Sequence, residues 1–160
     1  MDSNSQPQNL LSDDQPETMI LQLDKEILEL VSDDFTEEEL KDKVYLSGLI
    51  EKMTNTMIAN RAVGLAAVQV GIPKNLFVTV NPLLPVAINS KITYKSSIKT
   101  KKQEGCLSLG PGVFTKKLRS DFIRCSFLDK NLVLHEEENF NGFLARIIQH
   151  EVDHVNGKLI

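Results

Sequence analysis

The chain predicts an α+β fold, with antiparallel β-sheets packed around a C-terminal helix and a second helix near the N-terminus. Three observations predict it. Thr36 and Glu39 fit an S/T-x-x-E capping box ahead of an apolar run at helical spacing. Short β-like runs separated by turn residues fill the middle of the chain. The stretch GFLARIIQHEVDHV, near the end, has helical periodicity.

Taken in order, residues 1–18 (MDSNSQPQNLLSDDQPET) are polar and predict a mobile tail, with Leu10 and Leu11 its apolar exception. Residues 19–160 then form a single domain, long enough for a sizeable core. Leu40, Val44, Leu49, Ile50, Met53, Met57 and Ile58 predict one helix from about Glu37 to Asn60. The small-residue stretch AVGLAAVQVGIPKN breaks that pattern, and a strand follows over Leu76–Val80. Further β-like runs are VAINSKITYKS, EGCLSL, VFTKKL, DFIRCSFLD and LVLHEEENF, with turn signals at Gly110–Pro111–Gly112, Asp129 and Asn131. Asn141 is the candidate N-cap of the last helix, and Asn156–Gly157 its stop.

Composition narrows the partners. A net charge of −4 supplies no global field for nucleic acid, so Lys101, Lys102, Lys116, Lys117 and Arg119 read as solvated surface. No apolar stretch approaches the ~20 residues that span a bilayer, and MDSNSQPQ is not a secretory signal, so a cytoplasmic location is expected. Cys106 and Cys125 are then expected as thiols.

The chemistry lies in QHEVDH. On a helix His150 and His154 share a face and can offer two ring nitrogens to one metal ion. Glu151, turned about 100° from His150, can act as a general base but is poorly placed as a ligand. Ile147 and Phe143 lie one and two turns earlier on nearly the same face. The third ligand must come from upstream, because Ile160 stands where one metalloprotease pattern needs a histidine. Cys106, Cys125, His135 and carboxylates are the candidates. Cys125 reads as a buried strand thiol and His135 as an edge position, which favours Cys106, beside Gly105.

Three segments, in this order, resemble peptide deformylases: VGLAAVQVG (63–71), EGCLSL (104–109) and HEVDH (150–154). The resemblance runs from about Ile20 to Ile160. It implies that Cys106, His150 and His154 bind one divalent metal ion, with water as fourth ligand. That ion would be Fe²⁺ physiologically, with Zn²⁺ or Ni²⁺ possible substitutes. Glu151 would take the water's proton and later deliver one to the leaving amine. Gln69 and the Leu107 N–H would hydrogen-bond the formyl oxygen as it becomes an oxyanion. Val63, Gly64, Leu65, Gly105, Phe143 and Ile147 would contact substrate, a formyl-methionyl peptide or nascent chain that loses formate. Glu104 and Asp153 would be the carboxylates that orient the ligand imidazoles. A peptidase built on the same H-E-x-x-H, or an inactive metal-binding protein, is the alternative.

Four departures from the family pattern carry expectations. Ala62 replaces a usual glycine and would cost about 1 kcal/mol if its φ is positive. Arg146 occupies a commonly apolar position and is expected either to snorkel outward or to alter what binds beyond the methionine. The segment before Arg119 is one residue longer than usual, so a substrate-contacting role does not transfer to Arg119. The family's further C-terminal segment, linked to ribosome docking, has no counterpart before Ile160, so ribosome association is not expected to transfer.

Overall fold

The computed structural model describes residues 25–159; the predicted tail over 1–18 and the domain boundary at 19 lie outside the described residues. Its elements run α1 (Lys25–Leu28), α2 (Glu37–Lys41), α3 (Lys43–Ala59), β1 (Gly64–Ala66), β2 (Leu76–Thr79), β3 (Val86–Lys95), β4 (Lys99–Gly105), β5 (Phe114–Ser120), β6 (Phe122–Leu128), β7 (Leu134–Asn141) and α4 (Gly142–Val155). The sheet order is β1-β2-β3-β6-β7, every pairing antiparallel, with β4 and β5 forming a separate antiparallel pair.

The core is two layers of side chains, one on each face of the larger sheet. Alternate residues of a strand point to opposite faces. Leu65, Leu76, Val78, Val86 and Ile88 therefore meet Leu46, Leu49, Met53 and Met57 of α3. Ala66, Phe77, Ala87, Ile123 and Cys125 meet Leu144, Ala145, Ile148 and Val152 of α4. With a helix on each side, β2 is buried at every position, which is why LFVT lacks polar alternation. Each fully buried Leu, Met or Phe contributes about 1.5–3 kcal/mol by area.

The single helix expected over 37–60 is two. Thr36 Oγ1 accepts from Glu39 N and Glu39 Oε2 from Thr36 N, closing the capping box. Asp42 then leaves helical geometry (φ −76°, ψ 74°) and its carboxylate caps α3 at Tyr45 N. The apolar stripe is also narrower than expected: Val44 and Ile58 are exposed. α3 ends in a Schellman arrangement, with Ala62 N donating to Met57 O and Arg61 N to Ile58 O. The left-handed residue is Arg61 (φ 53°), so Ala62 carries no positive φ and its expected cost is absent.

The run EGCLSL is not a strand. β4 stops at Gly105, and Leu107–Leu109 form a 3₁₀ turn. Most of β4 escaped the sequence reading because Glu104 is its only buried residue. Asn141 stands at the N-cap of α4 but makes no side-chain cap bond. Gly157 follows α4 with φ 67°, and a Cβ there would lie 2.8 Å from the Glu29 carbonyl carbon.

Candidate metal centre

Helix α4 is amphipathic, and its buried face is not uniformly apolar. Ile148 and Val152 enter the core, while His150, Glu151 and His154 face the end of β4. Cys106, at the first position past β4, meets them there. One ligand atom from each of Cys106, His150 and His154 lies within 4.8 Å of the others. His154 Nε2 is 3.2 Å from Cys106 Sγ. A thiol and two imidazoles, all buried and converging, form a donor set suited to a borderline-soft divalent ion.

The imidazoles are held differently. His150 Nδ1 lies 3.0 Å from Glu104 Oε2. Since that carboxylate is ionised, Nδ1–H donates to it, which leaves Nε2 as the nitrogen turned to the centre. His154 is fully buried, and its Nδ1 has no partner among the described residues. Burial, helped by the positive charges of His150 and Arg119, pushes the His154 pKa down to about 3. The ring is thus neutral, the form that ligates a metal. Burial works against the charged form of His150, but hydrogen bonds to Cys106 and Glu104 and the Glu151 charge push its pKa up to about 10, so a metal ion would have to displace the Nε2 proton.

Glu104 is the hub behind the histidines. Arg119 donates to it through Nε (3.0 Å) and Nη2 (2.9 Å), and Arg146 through Nη1 (2.6 Å). Burial alone would raise the Glu104 carboxyl. Hydrogen bonds from His150, Arg119 and Arg146 and the Arg119 charge overcome that and hold it well below the usual carboxylate range. Arg119 also pairs with Asp153. Asp153 therefore touches no imidazole directly; its link to His150 runs through Arg119 and Glu104.

Two expectations about arginine are corrected here. Arg119 is not solvated surface, being only 7% exposed. Arg146 does not snorkel outward: besides Glu104 it donates to the Thr100 and Lys117 carbonyls, tying β4 and β5 to α4. Arg146 sits one turn before His150, and that i, i+4 spacing was the available sequence signal.

Glu151 is the opposite case. It is 2% exposed, and its Oε2 has no hydrogen-bond partner among the described residues. Burial pushes its pKa up to about 7, against the pull of the His150 and Arg119 charges. Its carboxylate lies over Gly64: a Cβ there would fall 2.9 Å from Glu151 Cδ. Gly64 is needed for this close approach, not for an unusual φ. Gln69 is also fixed. Its Oε1 accepts from Ala66 N (2.9 Å), and Nε2 donates to Ser108 Oγ (3.1 Å) and faces Cys106 Sγ (3.7 Å). Ser108, fully buried, had no sequence signal.

These groups line a cleft of about 480 Å³. Val63 and Gly64 form one wall, Gly105, Cys106 and Leu107 another, and Phe143, Ile147, His150 and Glu151 the floor and rim. Leu65 does not line it, because β1 turns that side chain into the α3 layer. Cys125 is buried on β6, among the side chains packed under α4, and His135 pairs with Asp129 (3.0 Å), so neither joins the centre.

Residues 18–160 match the family model described as polypeptide deformylase. A peptide deformylase of Prochlorococcus marinus (strain NATL1A) is 41% identical over 115 residues, covering 68% of this chain but only 56% of that relative. Peptide deformylase 1 of Clostridium perfringens is 43% identical over 129 residues, 76% of this chain and 82% of its own. The Met-Ala-Ser-bound crystal structure of a class I type b peptide deformylase from Acinetobacter baumannii superposes with a TM-score of 0.81 and 32% identity, covering 89% of this chain and 95% of that one.

Proposed function

Because this chain belongs to the polypeptide deformylase family, we propose that it hydrolyses the N-formyl group of formyl-methionyl peptides and nascent chains, releasing formate. The observation that carries the reading is one cleft holding the Cys106–His150–His154 donor set, a buried and unpartnered Glu151 carboxylate, and the anchored Gln69 amide.

Cys106, His150 and His154 would hold one divalent ion, Fe²⁺ in the cell and Zn²⁺ or Ni²⁺ as substitutes. When bound, the ion would supply Lewis-acid polarisation of the formyl group and acidify water. Glu151, with a pKa of about 7, can take a proton near neutral pH and return it to the leaving amine. Gln69 Nε2 and the N–H of Leu107, which opens the 3₁₀ turn, would meet the developing oxyanion. The Gln69 carbonyl is anchored by Ala66 N and one Nε2 hydrogen by Ser108 Oγ, so the hydrogen now facing Cys106 Sγ is the one that would turn to the oxyanion. Ile147, 3% exposed, and Phe143, at the cleft rim, supply apolar surface for the methionine side chain. Gly64 on edge strand β1 and Gly105 at the end of β4 leave the substrate backbone room to lie extended between them. Glu104 would orient His150 directly, and Asp153 would act through Arg119.

No helix among the described residues is long and apolar enough to cross a membrane. We place the reaction in the cytoplasm, on new chains.

The test is formate release from a formyl-Met-Ala-Ser peptide by protein kept anaerobic with Fe²⁺ or loaded with Ni²⁺. Release should be lost in Cys106→Ala and Glu151→Ala, the first with loss of metal and the second with metal retained. A folded, metal-loaded protein that releases no formate refutes the reading. Release that survives Glu151→Ala refutes the role of that carboxylate.

A further inference from the structure

The β4–β5 hairpin has two unlike faces. Alternation along a strand puts Glu104 and Arg119 on the face turned toward α4, where both are buried. The other face must then carry Lys99, Lys101, Gln103 and Gly105 on β4, and Phe114, Lys116 and Leu118 on β5. The register pairs Gly105 with Phe114, Gln103 with Lys116 and Lys101 with Leu118. Phe114 confirms the sidedness, because its ring lies 3.0 Å from a Cβ built on Gly105.

This outer face begins inside the cleft. Gln103, Gly105 and Phe114 line it, and the lysines follow outward along the same face. At about 3.3 Å per residue, Lys101 and Lys116 stand two to four residues beyond Gly105. Phe114 and Leu118 are more than half exposed. Between Ser96 and Ser120 the only acidic residue is Glu104, which is turned inward. Among the described residues none of Lys99, Lys101 and Lys116 has an ion-pair partner. A strongly basic strip thus leaves the reaction cleft of a chain whose net charge is −4.

We propose that the outer face of the β4–β5 hairpin selects substrates by the charge of the segment downstream of the formyl-methionine, favouring acidic residues about three to five positions into the peptide. The proposal rests on the deformylase reading of the cleft. A peptide extended in the cleft advances by the same ~3.3 Å per residue as the strands beside it. Its later side chains therefore fall level with Lys116 and then Lys101, where Leu118, opposite Lys101, offers apolar contact. A ribbon two strands wide suits one extended chain, and the acidic balance elsewhere disfavours a polyanion that must cover more surface.

The experiment compares kcat/KM for three formylated peptides: formyl-Met-Ala followed by Glu-Glu-Glu, Gln-Gln-Gln or Lys-Lys-Lys. The metal-loaded enzyme is assayed at low and high salt, alongside a Lys101→Glu/Lys116→Glu variant. Exposed pairs are individually weak, so the expected acidic-over-basic preference is roughly three- to tenfold at low salt, shrinking toward unity at ~0.5 M salt. The variant should reverse the preference. The readout is the ratio within each protein, which a general loss of activity does not move. Equal rates on the three peptides overturn the proposal, as does an acidic preference that persists in the variant. Equal peptide rates together with potent inhibition by polyuridylate would reassign the strip to nucleic acid. Failure on all three peptides and on formyl-Met-Ala alone would instead count against the deformylase reading.

Discussion

Gly64→Ala is the sharpest test of how the cleft holds its general base. The new methyl would overlap Glu151 Oε1 and sit 2.9 Å from Cδ and 3.1 Å from Cγ. Carbon atoms in contact prefer ~3.5–4.0 Å, so the carboxylate must withdraw by roughly 1 Å. Gly64 has no positive φ, and alanine suits its backbone. Glu151 Oε2 makes no hydrogen bond that the shift would break. Overpacking at this buried site should therefore cost about 1–3 kcal/mol of stability, which leaves the protein folded. The reaction is less tolerant. A 1 Å misplacement can cost ~10²-fold, and a positioned general base contributes 10²–10⁴-fold, so kcat should fall by about two orders of magnitude. Metal content should stay near one per chain, since Cys106, His150 and His154 are untouched. The assay is formate release with metal analysis and a urea melt on the same preparation. A folded, metal-replete Gly64→Ala enzyme with kcat within threefold of the parent would refute the placement of Glu151 as proton carrier.

Other outcomes follow from the same contacts. Burial on β6 pushes the Cys125 thiol from 9.0 up to about 11, with a backbone hydrogen bond from Lys91 opposing. The fold thus favours the neutral thiol: its contribution is complete below pH 9 and is lost as pH rises to 11, about 3 kcal/mol in all. Cys125→Ala should be less stable than the parent at pH 8, with the gap narrowing at pH 10.5; a gap that stays constant or widens contradicts this. Arg61 holds the left-handed C′ position of α3, so Arg61→Gly should stabilise by about 0.5–1 kcal/mol, raising Tm by a few degrees. Gly157→Ala combines φ 67° with a clash against the Glu29 carbonyl and should destabilise by at least about 2 kcal/mol in urea. A neutral Gly157→Ala would mean that the contact between Gly157 and the Glu29 backbone yields easily.

The elements with a single apolar face were the legible ones. The α4 period and the capping box at Thr36 could be read directly, and so could most of β5 and β6. β4 could not, since KTKKQEG turns its lysines outward and buries only Glu104. The break at Asp42 was also hidden, because the apolar spacing runs through it and only the cap bond to Tyr45 reveals it. Cys106, His150, Glu151, His154 and Gln69 are brought together much as the motifs imply, because each is placed by strand or helix geometry near its own segment. Arg119, Ser108 and the inward turn of Arg146 depend on contacts between distant segments. Their single-residue context in the sequence looks like ordinary surface or turn.

The arrangement sets two buried carboxylates a few residues apart in space and gives them opposite treatment. Glu104 receives hydrogen bonds from two guanidiniums and an imidazole, and stays ionised. Glu151 receives none at Oε2, and its pKa rises to about 7. The difference suits different duties. Behind the centre, Glu104 and Asp153 offset the charges of Arg119 and Arg146, and Glu104 also fixes the His150 ring. Replacing such a cluster by apolar side chains is often no worse for stability, so stability alone does not explain it. An ionised Glu104 holds the His150 Nδ1–H, and so determines which ring nitrogen faces Cys106 and His154. The same arginines join α4 to the hairpin that supplies Cys106. The distance between the ligands is then set by charge pairing across two elements, not by either element alone.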